Sequence, residues 1–128
     1  MDDHGPLAKT VLEYQDVMKQ LVSTVKEKGD WAPLESLVAV GEFERVGTRR
    51  EVQNWREYTE LLTQWARTIE RFETTVQRVS ELPGLVYFAA EERHFRGEEV
   101  TVVNSLSVFE FDADEKIRRL SVYLQQAR

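Results

Sequence analysis

The chain has no cysteine. Disulfides, thiolate nucleophiles and cysteine-based metal sites are therefore excluded, and the absence fits the expected cytoplasmic location. Histidine is nearly as scarce, with two in all. One, His4, falls in a polar N-terminal end expected to fray, so a histidine-rich metal site is excluded too. No carboxylate spacing takes its place, and neither metal nor cofactor is expected. Glycine is thin and scattered: Gly41 and Gly47 stand alone, and no phosphate-cradling loop can be built from them. No window approaches the roughly 18 apolar residues that span a membrane. Residues 1–30 hold no apolar run of the secretory-signal kind. Basic residues are outnumbered, 17 against 23 acidic, for a net charge of -6. Nucleic acid and anionic membranes call for a cationic footprint, so neither is an expected partner. Arg45 with Thr48-Arg49-Arg50 is a small basic cluster, read as a surface feature at a helix start.

What remains is an ordinary globular mix, 41% hydrophobic and 31% charged over 128 residues. That length predicts one domain, 1–128, able to bury roughly two-thirds of its unfolded surface.

Pro6 suits a first helical turn. Val11, Tyr14, Val17 or Met18, Leu21, Val22 and Val25 follow at helical spacing, with Lys26, Lys28 and Gly29 as the stop. Asp30 is read as the N-cap of a second helix from Trp31 to about Val38. Residues 41–47 read as a short extended segment between glycines. Thr48 is read as the start of a third helix, about Arg50 to Trp65. From Thr68 the period changes to two. Strands then follow one another through Leu82-Pro83-Gly84, through Gly97 and through Asp112-Ala113-Asp114-Glu115. The expected order is ααβαββββ. This is an α+β layout, a curved antiparallel sheet forming a cone packed by three N-terminal helices, a cystatin-like roll.

This pattern resembles the nuclear-transport-factor-2-like superfamily, in its SnoaL-like and ketosteroid-isomerase-like branch. The residues that carry the resemblance are Lys28-Gly29-Asp30-Trp31, Leu37-Val38-Ala39, and the closing hairpin Val108-Phe109-Glu110-Phe111-Asp112, Lys116-Ile117 and Val122-Tyr123. The resemblance implies an apolar pocket inside the cone. It also allows family roles to be carried over. Ketosteroid isomerases place a Tyr on the first helix in an oxyanion hole, where Tyr14 falls here. Their general base aligns with Val46, which takes no proton, and their second oxyanion donor aligns with Ser107. A carbon acid needs a base within reach, so that activity is not expected. Epoxide hydrolases of this fold use an Asp–Arg–Asp set. Glu91, Glu92, Arg93 and His94 lie on the matching strand, but the last position falls on Val122.

Two clusters carry the remaining chemistry. Strand alternation puts Glu91 and Arg93 on one face and Glu92 and His94 on the other. By the family alignment Glu91 and Arg93 are the pocket-facing, candidate catalytic pair. The alternative is a solvated strand face or a dimer-interface ion pair. Ser105 and Ser107 share a face with Phe109, so they either orient a ligand or bond locally. Tyr14, Trp31, Trp55 and Tyr58, with Phe43, Leu120 and Val122, are either core or the wall of a pocket for a small apolar molecule.

The opposite face of the central strand, with Asn104, Leu106 and Val108, is largely apolar and predicts a homodimer through the sheet, with Tyr87 and Tyr123 contributing. The expected function is small-molecule binding by a SnoaL-like protein with no complete catalytic set. A lyase, isomerase or cyclase on an apolar or polyketide-like substrate, and a non-catalytic interaction module, are the alternatives.

Overall fold

The computed structural model describes residues 5–126; His4 and the end expected to fray lie outside them. The first helix, α1 (Pro6–Val22), opens on the expected proline and buries Leu7, Val11, Tyr14, Met18 and Val22 along one face. It ends at Val22, about two turns before Gly29. The Thr24 hydroxyl and the Thr24 and Val25 amides all turn back onto the Leu21 carbonyl, the local competition that hydroxyl residues offer a helix.

The second helical segment, Lys28–Leu37, is a 3-10 helix with Pro33 inside it. Asp30 is not its N-cap. It is the third residue, and its carboxylate accepts the backbone N–H of Lys26 at 2.9 Å and of Glu27 at 3.2 Å. The third helix, α2 (Trp55–Ala66), begins later than Thr48 predicts because Asn54 caps it: Asn54 and Glu57 satisfy each other's backbone N–H groups reciprocally.

Six strands form one sheet in the order β2-β1-β6-β5-β4-β3. They are β1 (Glu44–Val46), β2 (Val52–Gln53), β3 (Arg71–Leu82), β4 (Leu85–Arg96), β5 (Glu99–Phe111) and β6 (Ile117–Gln126). Two features depart from the expected layout. Val52 and Gln53, assigned to the start of the third helix, instead form β2, which pairs in a small hairpin with β1 in the expected extended segment. And β1 runs parallel to β6, so the sheet is mixed rather than wholly antiparallel. The four-stranded meander β3–β6 has the expected order, with Gly84 and Gly97 at positive φ in its first two turns.

The register of β3 against β4 shifts between Val76 and Arg78, the kind of irregularity that lets a strand bend. The sheet curls without closing, and the helices pack inside the curl. Glu81 helps dock them: its carboxylate accepts the Ala8 N–H at 2.8 Å, at the positive end of α1. The result is the α+β cone that the alternation predicts. Among the described residues no helix is long and apolar enough to cross a membrane.

Candidate functional site

Alternation along β4 decides what enters the cone. Val86, Phe88 and Ala90 are buried on the concave face, and period two carries the same face on to Glu92, His94 and Arg96. Their neighbours on β5 are Val103 opposite Glu92 and Thr101 opposite His94. On β6, Leu120, Val122 and Leu124 face the same way. Together with Tyr14 and Met18 of α1, Arg45 of β1 and Tyr58, Leu62 and Trp65 of α2, these side chains enclose a half-open cavity of about 380 Å³.

The apolar wall includes Met18, Leu62, Trp65, Phe72, Val103 and Leu120. The polar groups are few and placed. Tyr14 is 1% exposed, and its ring lies edge-on to Phe109. Its hydroxyl is fully buried with no hydrogen-bond partner among the described residues. The Tyr58 hydroxyl couples to it both electrostatically and as a loose hydrogen-bond contact that raises Tyr14 and lowers Tyr58, but the contact falls short of full hydrogen-bond geometry. Burial, and then Tyr58, hold the Tyr14 phenol well above its ordinary pKa. Burial raises Tyr58 as well, while Arg45 partly opposes it. Both phenols are therefore neutral O–H groups at physiological pH.

The Arg45 guanidinium lies 5.3 Å from the centre of the Tyr58 ring. Its Nη1 donates to Gln53 Oε1 at 3.1 Å and to Glu51 Oε1 at 3.5 Å. Its Nε is buried with no partner. Across the cavity wall, His94 Nε2 stands 3.0 Å from Glu92 Oε1, and the Ser105 hydroxyl donates to Glu92 Oε2 at 3.3 Å. The His94 ring is wedged edge-on between Trp65 and Phe72. A carboxylate accepts only, so Glu92 fixes the proton of neutral His94 on Nε2 and leaves Nδ1 as an acceptor. No group of three or more His, Asp or Glu among the described residues is gathered as a metal centre.

Several expected site residues stand elsewhere. Glu91 and Arg93 pair with each other on the convex face, 3.0 Å apart, because the face is set by the apolar alternation of β4 and not by the family register. Trp31 is fully buried and donates its indole N–H to Thr63 at 3.0 Å, on the far side of α2 from the cavity. Phe43 and Trp55 pack on each other and on Tyr58, and support the wall from behind. Phe109 supports Tyr14 in the same way. Ser105 is buried behind the wall and reaches it through Glu92. Tyr14, Tyr58, Ser107, Leu120 and Val122 line the cavity.

Arg45 is the residue that sequence reasoning missed. By sequence it groups with Arg49 and Arg50 as a surface cluster, yet its side chain is only 12% exposed. The signal lay in its flanks, since an arginine inside a strand that follows buried Phe43 has no free surface to itself.

No protein-family model matches the sequence, and no curated protein matches it as a relative. Solved structures match its fold closely. A proposed polyketide cyclase from Streptomyces antibioticus superposes with a TM-score of 0.77, at 11% identity, over 94% of this chain and 93% of the other. An NTF2-like protein from Anabaena variabilis gives 0.75 at 14% identity, over 99% and 96%. A proposed SnoaL-like polyketide cyclase from Shewanella putrefaciens gives 0.75 at 8% identity, over 95% and 81%. The chain therefore has the nuclear-transport-factor-2-like fold, in the form seen in SnoaL-like proteins.

Proposed function

We propose that the cone binds a small, largely apolar organic molecule and fixes one of its oxygen atoms against Tyr14. The observation that carries this reading is the Tyr14 hydroxyl, buried, neutral and unpartnered on the wall of an otherwise apolar cavity. A buried polar group without a partner costs on the order of 1–3 kcal/mol. A ligand oxygen arriving there removes that cost, and the apolar wall takes the rest of the molecule.

Binding of methyl 2-naphthyl ketone, followed by ¹H–¹⁵N correlation spectra, tests it. The expected result is shifts confined to the cavity residues and an affinity lowered on the order of tenfold in Tyr14→Phe. Unchanged affinity in that variant contradicts the reading.

A second reading, an isomerase, cyclase or lyase, is favoured by the Glu92–His94 pair. A carbonyl oxygen held at Tyr14 acidifies the adjacent carbon. His94 Nδ1 takes that proton while the electron pair moves onto the oxygen, and the proton returns at the same or a conjugated carbon. Exchange of the ketone's methyl protons in D₂O, faster with the wild-type protein than with His94→Ala, is the expected signature of this reading. Equal rates leave binding alone.

The sheet face supports a second property, a homodimer. Leu106 lies opposite Tyr123 on one side and Ala89 on the other, with Tyr87 opposite Val108 in the next row. Tyr87, Leu106 and Tyr123 are 39%, 40% and 59% exposed. A contiguous apolar patch of this kind on a convex face suits a second copy of the same sheet.

A further inference from the structure

We propose that Arg45 makes the tyrosine end of the cavity a carboxylate subsite, so that the preferred ligand is an apolar acid rather than a neutral ketone or alcohol. This rests on the binding reading above and specifies its substrate class.

The argument begins with the atoms of one guanidinium. Among the described residues, the hydrogen bonds of Arg45 engage Nη1 alone, with Gln53 and Glu51. Nε is buried and unpartnered. The edge formed by Nε and Nη2 is the side-on fork of arginine, two parallel donors whose spacing matches the two oxygens of a carboxylate. The Tyr14 hydroxyl, on the same cavity wall, is a third donor without a partner. One neutral carbonyl oxygen has two lone pairs, one too few for three donors, and carries no charge to set against the guanidinium. A carboxylate has lone pairs for all three.

Charge leads to the same conclusion. A buried cation needs a counter-charge. The ion-pair partner of Arg45 is Glu51, at 3.5 Å on Nη1 and 47% exposed, where solvent screens it. Glu92 is taken up by His94 and Ser105. The cavity wall thus carries Arg45 and Arg96 against Glu92, an excess of one positive charge on a chain whose net charge is -6. Field lines in a low-dielectric cleft of that sign draw an anion inward. The surrounding Leu62, Leu120 and Val122 call for a hydrocarbon skeleton behind the charged group.

The test compares two probes of one skeleton, 2-naphthoate and methyl 2-naphthyl ketone, by calorimetry and by the Nε–H signal of Arg45 in ¹H–¹⁵N spectra of the full chain. The expected result is that naphthoate binds on the order of tenfold more tightly, moves the Arg45 Nε–H signal downfield, and loses its advantage in Arg45→Gln. The Nε–H shift is read in the wild-type protein, so it holds even if that variant fails to fold. Equal affinity for the two probes, or naphthoate binding with the Nε–H signal unmoved, overturns the carboxylate subsite and leaves the oxygen-binding cavity intact. Neither probe perturbing the cavity residues overturns both.

Discussion

Glu92 grips His94 at 3.0 Å through Nε2 and is itself held by the Ser105 hydroxyl at 3.3 Å, a three-residue chain across the concave face of β4 and β5. The chain orients the imidazole, and its consequence is a single tautomer. Long-range ¹H–¹⁵N spectra are expected to show the neutral form of the His94 ring carrying its proton on Nε2. In Glu92→Ala the two tautomers should mix. A neutral wild-type ring protonated on Nδ1 would contradict the arrangement.

Tyr14→Phe separates stability from binding. The hydroxyl it removes is buried and unpartnered, so the unliganded variant should be as stable as the wild type or up to about 1 kcal/mol more stable. It should bind ligand more weakly all the same. Thermal unfolding with and without the ketone probe measures both effects.

Alkaline pH tests the burial of both phenols. Their folded pKa values lie above the unfolded value of 10.0. Below pH 10 both states keep these protons and the neutral phenols' contribution is fully present. As pH rises past 10 the unfolded chain loses them first, and stability falls. Denaturant midpoints measured across this range should drop less in Tyr14→Phe than in the wild type.

Trp31 is a core residue rather than part of the cavity. Trp31→Phe removes its hydrogen bond to Thr63 and part of a fully buried ring. It should cost about 2 kcal/mol in chemical denaturation. Probe affinity should stay unchanged, since Trp31 does not line the cavity. A matching loss of affinity would return Trp31 to the site.

The sheet face makes a prediction about mass. Light scattering at micromolar concentration is expected to give a dimer, and Leu106→Glu a monomer with an unchanged fold. A wild-type monomer would remove the sheet face as an interface.

Much of this architecture is legible in the sequence, for identifiable reasons. The meander β3–β6 is read from long alternating runs broken by Pro83-Gly84, Gly97 and the acidic turn, and α1 from its apolar spacing. What is not legible is set by tertiary contacts. The parallel pairing of β1 with β6 joins residues over seventy positions apart, such as Arg45 and Leu120, and nothing local encodes it. The β2 strand has two residues, too few for any period.

The face of β4 is legible in its own alternation, which differs from the register that the family resemblance implies. Val86, Phe88 and Ala90 point to Glu92 and His94, whereas the family register points to Glu91 and Arg93. Among the aromatic residues, the sequence alone puts Trp31, Phe43 and Trp55 on the cavity wall together with Tyr14 and Tyr58. Burial alone does not distinguish a wall from the layer behind it.

The central claim is that the cone holds a ligand by an oxygen at Tyr14. A crystal structure of the protein grown with methyl 2-naphthyl ketone tests it most directly. The account predicts the naphthalene between Leu62, Trp65 and Val122, with its carbonyl oxygen within hydrogen-bond distance of the Tyr14 hydroxyl. A cavity closed by its own side chains, with the Tyr14 hydroxyl bonded to a protein group and the ketone absent, would contradict it.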